Sequence, residues 1–198
     1  MIPVGYLYKK VATRPNWLKA ETVVDVYSLS RCISDDFADY INYWKHNGYW
    51  LFNSPEEIDA IATNERSDLS GATLFYYEVY EYEFDENSNG WSAFKPEPAF
   101  VTDVQIPMDK QLEGFDVTTF HARTSPECSP LSCNSLATTI PVNEHCLFNT
   151  FEEAKQAIDG GLFNNSEPGP YRISAIYTMK NGLTNHSTGP ARKDAQAG

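Results

Sequence analysis

The sequence predicts an α+β fold: two copies of one strand–helix–helix–strand unit, related by a pseudo-twofold axis. Three observations predict it. The run Trp50-Leu51-Phe52-Asn53-Ser54-Pro55-Glu56-Glu57 returns 96 residues later as Cys146-Leu147-Phe148-Asn149-Thr150-Phe151-Glu152-Glu153. The same offset aligns Cys32 with Cys128 and Asn47 with Asn143. The order of elements around both runs is also the same, and self-similarity of this kind marks a duplicated architecture. Residues 1–90 then form the first unit and 91–180 the second. Each alone would have a thin core, so the two are expected to share one compact domain. Residues 181–198 hold Leu183 as their one large apolar side chain and read as a flexible tail.

Each element has a local reason. Val23 to Leu29 and Phe115 to Phe120 are short β-branched and aromatic runs that read as strands, with Asp25-Val26 facing Asp116-Val117. A helix is expected next in the first copy. Ser34 is its N-cap, Asp35 and Asp36 suit the positive end of its dipole, and Phe37, Ile41 and Trp44 form one apolar face before Asn47-Gly48 ends it. In the second copy the corresponding helix turns Cys133, Leu136 and Ile140 inward and stops at Pro141. The repeated Leu-Phe-Asn run then leads into a second helix. Ser54 with Glu57, and Thr150 with Glu153, have capping-box spacing. This spacing gives the glutamates a structural role rather than a catalytic one. The unit closes on a strand: Thr73 to Phe84 in the first copy and Tyr171 to Met179, with its period-two alternation, in the second. Asp85 to Gly90 is polar and turn-rich and marks the boundary between copies.

Charge narrows the function classes. The chain has 198 residues and a net charge of −12. Residues 21–100 hold 16 acidic and 4 basic side chains, while the remainder, with 11 of each, is balanced. Direct binding to nucleic-acid phosphates is disfavoured, and a basic protein partner would be steered to the acidic segment. The expected contact residues are Glu78, Glu81, Glu83, Asp85 and Glu86, with Tyr80 and Tyr82 beside them. No apolar stretch is long enough to span a bilayer and the first ten residues carry no secretion signal, so a cytoplasmic protein with no membrane contact is expected. Four cysteines in this length fit reduced thiols.

Chemistry-bearing residues concentrate in Thr124-Ser125-Pro126-Glu127-Cys128-Ser129-Pro130-Leu131-Ser132-Cys133-Asn134. Two Ser-Pro steps stiffen a loop that feeds a helix start, where backbone N–H groups favour a thiolate at Cys128. His121 and His145 are candidate bases for it. Cys32 holds the matching place in the first copy, but Asp35 and Asp36 follow and oppose an anion there. A zinc set of Cys128, Cys133, His145 and Cys146 fails on spacing, since adjacent residues 145 and 146 would face opposite ways along a strand, so no metal or other cofactor is expected. Phosphate loops, paired C-x-x-C motifs and hydrolase signatures are absent. The favoured function is a non-enzymatic acidic binding protein of inhibitor, immunity or regulatory type that covers a basic partner. The alternative is a small thiol-dependent enzyme or redox-sensitive protein using Cys128.

Overall fold

The computed structural model describes residues 1–37, 46–120 and 126–179. In chain order these give strands β1 (Ile2–Lys10), β2 (Ala12–Thr13), β3 (Asp25–Val26) and β4 (Asp35–Asp36), then helix α1 (Pro55–Glu65). Strands β5 (Thr73–Asp85), β6 (Gly90–Ala93) and β7 (Lys110–Thr119) follow. The short helices α2 (Pro130–Cys133) and α3 (Phe151–Asp159) precede strand β8 (Tyr171–Met179), with one 3₁₀ turn at Leu136–Thr138.

The fold class is mostly β, which corrects the α+β expectation. One antiparallel six-stranded sheet runs β4-β1-β5-β8-β7, with β6 paired to β5, and the described helices are short. The strand–helix–helix–strand unit is not found among the described residues. In the first copy, Ser34 caps no helix. Its hydroxyl donates instead to Val26 O, and Asp35–Asp36 pair with Lys10 and Lys9 as β4. Ile41 and Trp44, the rest of the expected apolar face, lie outside the described residues. In the second copy the expected helix shrinks to the four residues of α2 and the 3₁₀ turn. Of Val23 to Leu29, Asp25–Val26 alone is strand, and it pairs with β2 in a separate ribbon. In the first half the strand that runs along β5 is β1, paired from Ile2↔Val79 to Lys9↔Thr73.

What recurs at the offset of 96 is a loop and the helix it feeds. Asn47 Oδ1 accepts from the N–H groups of Tyr49 and Leu51, and its Nδ2 donates to Val4 O at 2.8 Å. Asn143 Oδ1 accepts from His145 and Leu147, and its Nδ2 donates to Glu113 O at 2.7 Å. Each loop then forms a bridge to a sheet strand, Tyr6↔Phe52 and Phe115↔Phe148. The approach is so close that an added Cβ at Gly5 or Gly114 would stand 2.5 or 2.6 Å from the bridging carbonyl. Both glycines also hold positive φ, where they are needed. Ser54 and Thr150 both start helices by accepting from the N–H of Glu57 and Glu153. The reciprocal bond is complete at Thr150, whereas Glu57 reaches the N–H of Asn53 instead.

Two apolar clusters fill the interior. One gathers Phe115, Val117, Tyr171 and Ile173 of β7 and β8 against α3 and Leu131. The other gathers Tyr6, Leu7, Phe75 and Tyr77 of β1 and β5 against Ile58 and Ile61 of α1. The Asp85–Gly90 stretch is the tight turn between β5 and β6. No helix among the described residues is long and apolar enough to cross a membrane.

Candidate functional site

The site forms where the segment after β3 meets the loop after β7. Pairing between Thr119, at the end of β7, and residues 127–128 fixes the second loop. The Thr119 N–H donates to Cys128 O at 2.8 Å and the Glu127 N–H to Thr119 O at 3.0 Å. Pro130 at the first helical position starts α2, whose single turn carries Cys133. The N–H of Cys133 donates to Ser129 O at 2.8 Å.

Two buried charges hold the first segment in place. Lys9, 1% exposed, donates to Leu29 O at 3.1 Å and Ser30 O at 2.5 Å, and its ammonium stands 3.3 Å from Asp36 Oδ1. Arg31 Nε meets the other oxygen of Asp36, also at 3.3 Å. Burial pulls the Lys9 pKa down and pushes that of Asp36 up, against the attraction between them. Asp116 on β7 is fully buried. Its Oδ2 accepts from the Leu29 N–H at 3.0 Å and from the Ser28 and Thr118 hydroxyls, while Oδ1 accepts from Ser129 Oγ at 2.5 Å. One carboxylate therefore fastens the segment that carries Cys32 to the loop that carries Cys128.

The result is a cluster that spacing along the chain does not reveal. The sulfurs of Cys32, Cys128 and Cys133 all lie within 4.8 Å of one another. Cys32 is exposed, Cys133 half-buried and Cys128 buried. In its protonated form Cys32 also donates to Glu127 O at 3.2 Å. The amide of Asn134 is oriented by Nδ2 bonds to Ser166 O and Glu167 Oε1, which turns its Oδ1 to within 3.4 Å of Cys128 Sγ.

The thiol drawn toward its anion is Cys32. Hydrogen bonds from the Cys128 and Cys133 thiols, then from Ser30, together with the charge of Lys9, hold its pKa well below the ordinary thiol value and outweigh burial. Hydrogen bonding within the same triad, first to Cys133 and then to Cys32, pushes the Cys128 thiol up, with burial adding to it. Of the two acids expected to oppose an anion at Cys32, Asp36 is itself buried between two cations, whereas Asp35 is exposed.

The other sequence candidates lie elsewhere. His145 and Cys146 are outside the thiol group. The His145 ring stacks on Tyr27 with centroids 4.0 Å apart, and its Nδ1 is 2.6 Å from Asp25 Oδ1. Cys146 is buried in the recurring loop, and burial pushes its pKa up to about 12. His121 lies outside the described residues. Among the acidic candidates, Glu78 pairs with Lys110 and accepts from the Tyr177 hydroxyl, and Glu83 pairs with Arg172 at 3.0 Å. Asp85 and Glu86 are half-buried around the β5–β6 turn, where Glu86 accepts from the Gly169 N–H. Glu81 is exposed, as is Tyr82, whereas Tyr80 packs on Trp91 and Phe151. A cleft of about 680 Å³ beside α1 is lined by His46, Glu56 and Phe100 but by no cysteine.

Comparison with protein-family models, curated proteins and solved structures finds no match to this chain.

Proposed function

We propose that the chain is a thiol-based, redox-responsive protein in which Cys32 is the attacking sulfur. One observation carries the reading: three thiols from two well-separated stretches of chain meet within 4.8 Å, and the exposed one has its anion favoured. The thiolate is the nucleophile in disulfide exchange, and access decides which one reacts. A disulfide needs its sulfurs ~2.05 Å apart, so closure asks for a movement of roughly 3 Å or less, within reach of side-chain rotation and a small loop shift.

The chemistry is an exchange with a small-molecule or protein disulfide. The Cys32 thiolate attacks one partner sulfur, the partner disulfide breaks, and half of the partner leaves as a thiolate. Cys128 or Cys133 then loses its proton and attacks Cys32 Sγ, expelling the other half. The partner disulfide is reduced to two thiols and the chain holds one internal disulfide. Cys32 is thus the first reactant in place of Cys128, which acts as a resolving thiol. The acidic-binding reading has less behind it, because Glu78 and Glu83 are engaged by Lys110 and Arg172.

The test is equilibration of the metal-free protein with glutathione redox buffers, followed by acid quench and mass spectrometry of alkylated thiols. A reversible two-electron loss of two thiols, abolished by Cys32→Ser, is expected. Irreversible mixed disulfides alone, or the same titration in Cys32→Ser, would refute it.

A further inference from the structure

We infer that, in the reduced state, Cys32, Cys128 and Cys133 form a three-thiolate site for one divalent cation of the zinc class. The inference uses the same sulfurs as the redox reading but needs no oxidation step. Sulfurs that share one zinc at ~2.3 Å stand roughly 3.8–4.0 Å apart. The three here already lie within 4.8 Å, so about 1 Å of contraction completes the set. Sulfurs bound to different irons of a cluster stand farther apart than this. Thiolates select soft or borderline cations over magnesium or calcium.

The fourth position falls to oxygen. Asn134 Oδ1 stands 3.4 Å from Cys128 Sγ, close to the roughly 3.5 Å sulfur–oxygen edge of a zinc tetrahedron. Its Nδ2 is occupied by Ser166 and Glu167, so the carbonyl end is held toward the sulfur rather than free to turn. Outer-shell bonds that orient ligands are a regular feature of metal sites. The scaffold around the sulfurs is protein: Asp116 joins the two cysteine-bearing segments and Lys9 grips the first of them. Three thiolates and one divalent ion leave a single negative charge, which the positive charge of Lys9 favours. Loading releases one proton for each sulfur that enters as a thiol.

The set differs from the one weighed in the sequence and set aside on its spacing. Cys128 and Cys133 are kept, whereas His145 and Cys146 are replaced by Cys32, which comes from 96 residues upstream of Cys128. Separation in sequence hides such a ligand set, because pattern reading looks for close pairs of ligands.

The experiment uses the full chain, reduced under argon, loaded with zinc sulfate, desalted and assayed for metal by mass spectrometry. A chromophoric chelator competes for affinity, and cobalt(II) is the spectroscopic probe. One zinc per chain is expected, with a thiolate-to-cobalt charge-transfer band in the near ultraviolet. Cys32→Ser, an exposed position where folding is not at stake, is expected to weaken zinc roughly 100-fold or more. Cys133→Ser, with folding checked by circular dichroism, is expected to do the same, whereas Cys146→Ala leaves binding unchanged. Zinc well below one equivalent, copper(I) retained where zinc is not, or full zinc affinity in Cys32→Ser would each overturn the site. Failure here is distinguishable from failure of the redox reading: a protein that binds zinc but forms no Cys32 disulfide sinks only the latter, and the reverse outcome sinks only the former.

Discussion

Lys9→Met removes the cation on which the Cys32 segment rests. The ammonium is 1% exposed, holds two backbone carbonyls and faces the buried carboxylate of Asp36 at 3.3 Å. Removing one member of a buried pair costs about 3–5 kcal/mol, because the remaining charge stays buried. Arg31 stays 3.3 Å from Asp36, but its side chain is 38% exposed and screened, which favours the low end, about 3 kcal/mol. For a chain of this size that corresponds to a drop in Tm of roughly 6–12 °C. Urea unfolding followed by tryptophan fluorescence measures the loss. Burial shifts both members of the pair toward neutrality, so Lys9→Met with Asp36→Leu together are expected to recover most of the stability. The single variant is also expected to slow internal disulfide formation, because the Leu29 and Ser30 carbonyls lose their anchor. A cost below about 1 kcal/mol for Lys9→Met, or a double variant no more stable than the single one, would refute the argument.

Other outcomes follow from the same geometry. Burial raises the Asp116 pKa to about 6, above its unfolded value of about 3.9. Between these values the folded state binds the extra proton, so Asp116 contributes a loss of stability, of order 3 kcal/mol in total, as pH rises from about 4 to 6. Asp116→Asn is expected to flatten that part of the stability–pH curve in chemical denaturation. Iodoacetamide labelling of Cys32 should stay fast well below the ordinary thiol range, whereas Cys146, pushed up to about 12, should label slowly and faster with every rise in pH. Gly114→Ala places a Cβ 2.6 Å from Phe148 O at φ +149°, and should cost about 2–4 kcal/mol by thermal melting. Thr150→Ala removes the N-cap of α3 and should cost about 1 kcal/mol by the same measurement.

Legibility in the sequence tracked the range of the forces involved. The starts of α1 and α3 were readable because a cap is a contact between residues three apart. Strands β5 and β8 were readable because their apolar runs are long. Strand β1 escaped because Pro3, Gly5 and Lys9-Lys10 break its pattern. Its burial runs unbroken from Val4 to Lys9, and the lysine is inside only because Asp36 and two carbonyls receive it. The same partner explains the misread helix start: Ser34-Asp35-Asp36 looks like a cap and first turn until Asp36 is taken by Lys9 and β4 pairs with β1. The aligned positions of Cys32 and Cys128 were visible, but their meeting depends on Asp116 bonding across 87 residues to Leu29, which no local pattern records. Cys133 was grouped with Cys128, as found, but beside His145 and Cys146 instead of Cys32.

The meeting of the three sulfurs is tested most directly by peptide mapping after brief, mild oxidation with diamide, in buffer and in 8 M urea side by side. The native protein is expected to yield one dominant cross-linked species, a peptide containing Cys32 joined to the peptide containing Cys128 and Cys133, with Cys146 still alkylatable. In urea that link should give way to a mixture that includes Cys146. A native product that joins Cys128 to Cys133 without Cys32, or that engages Cys146, would contradict the arrangement.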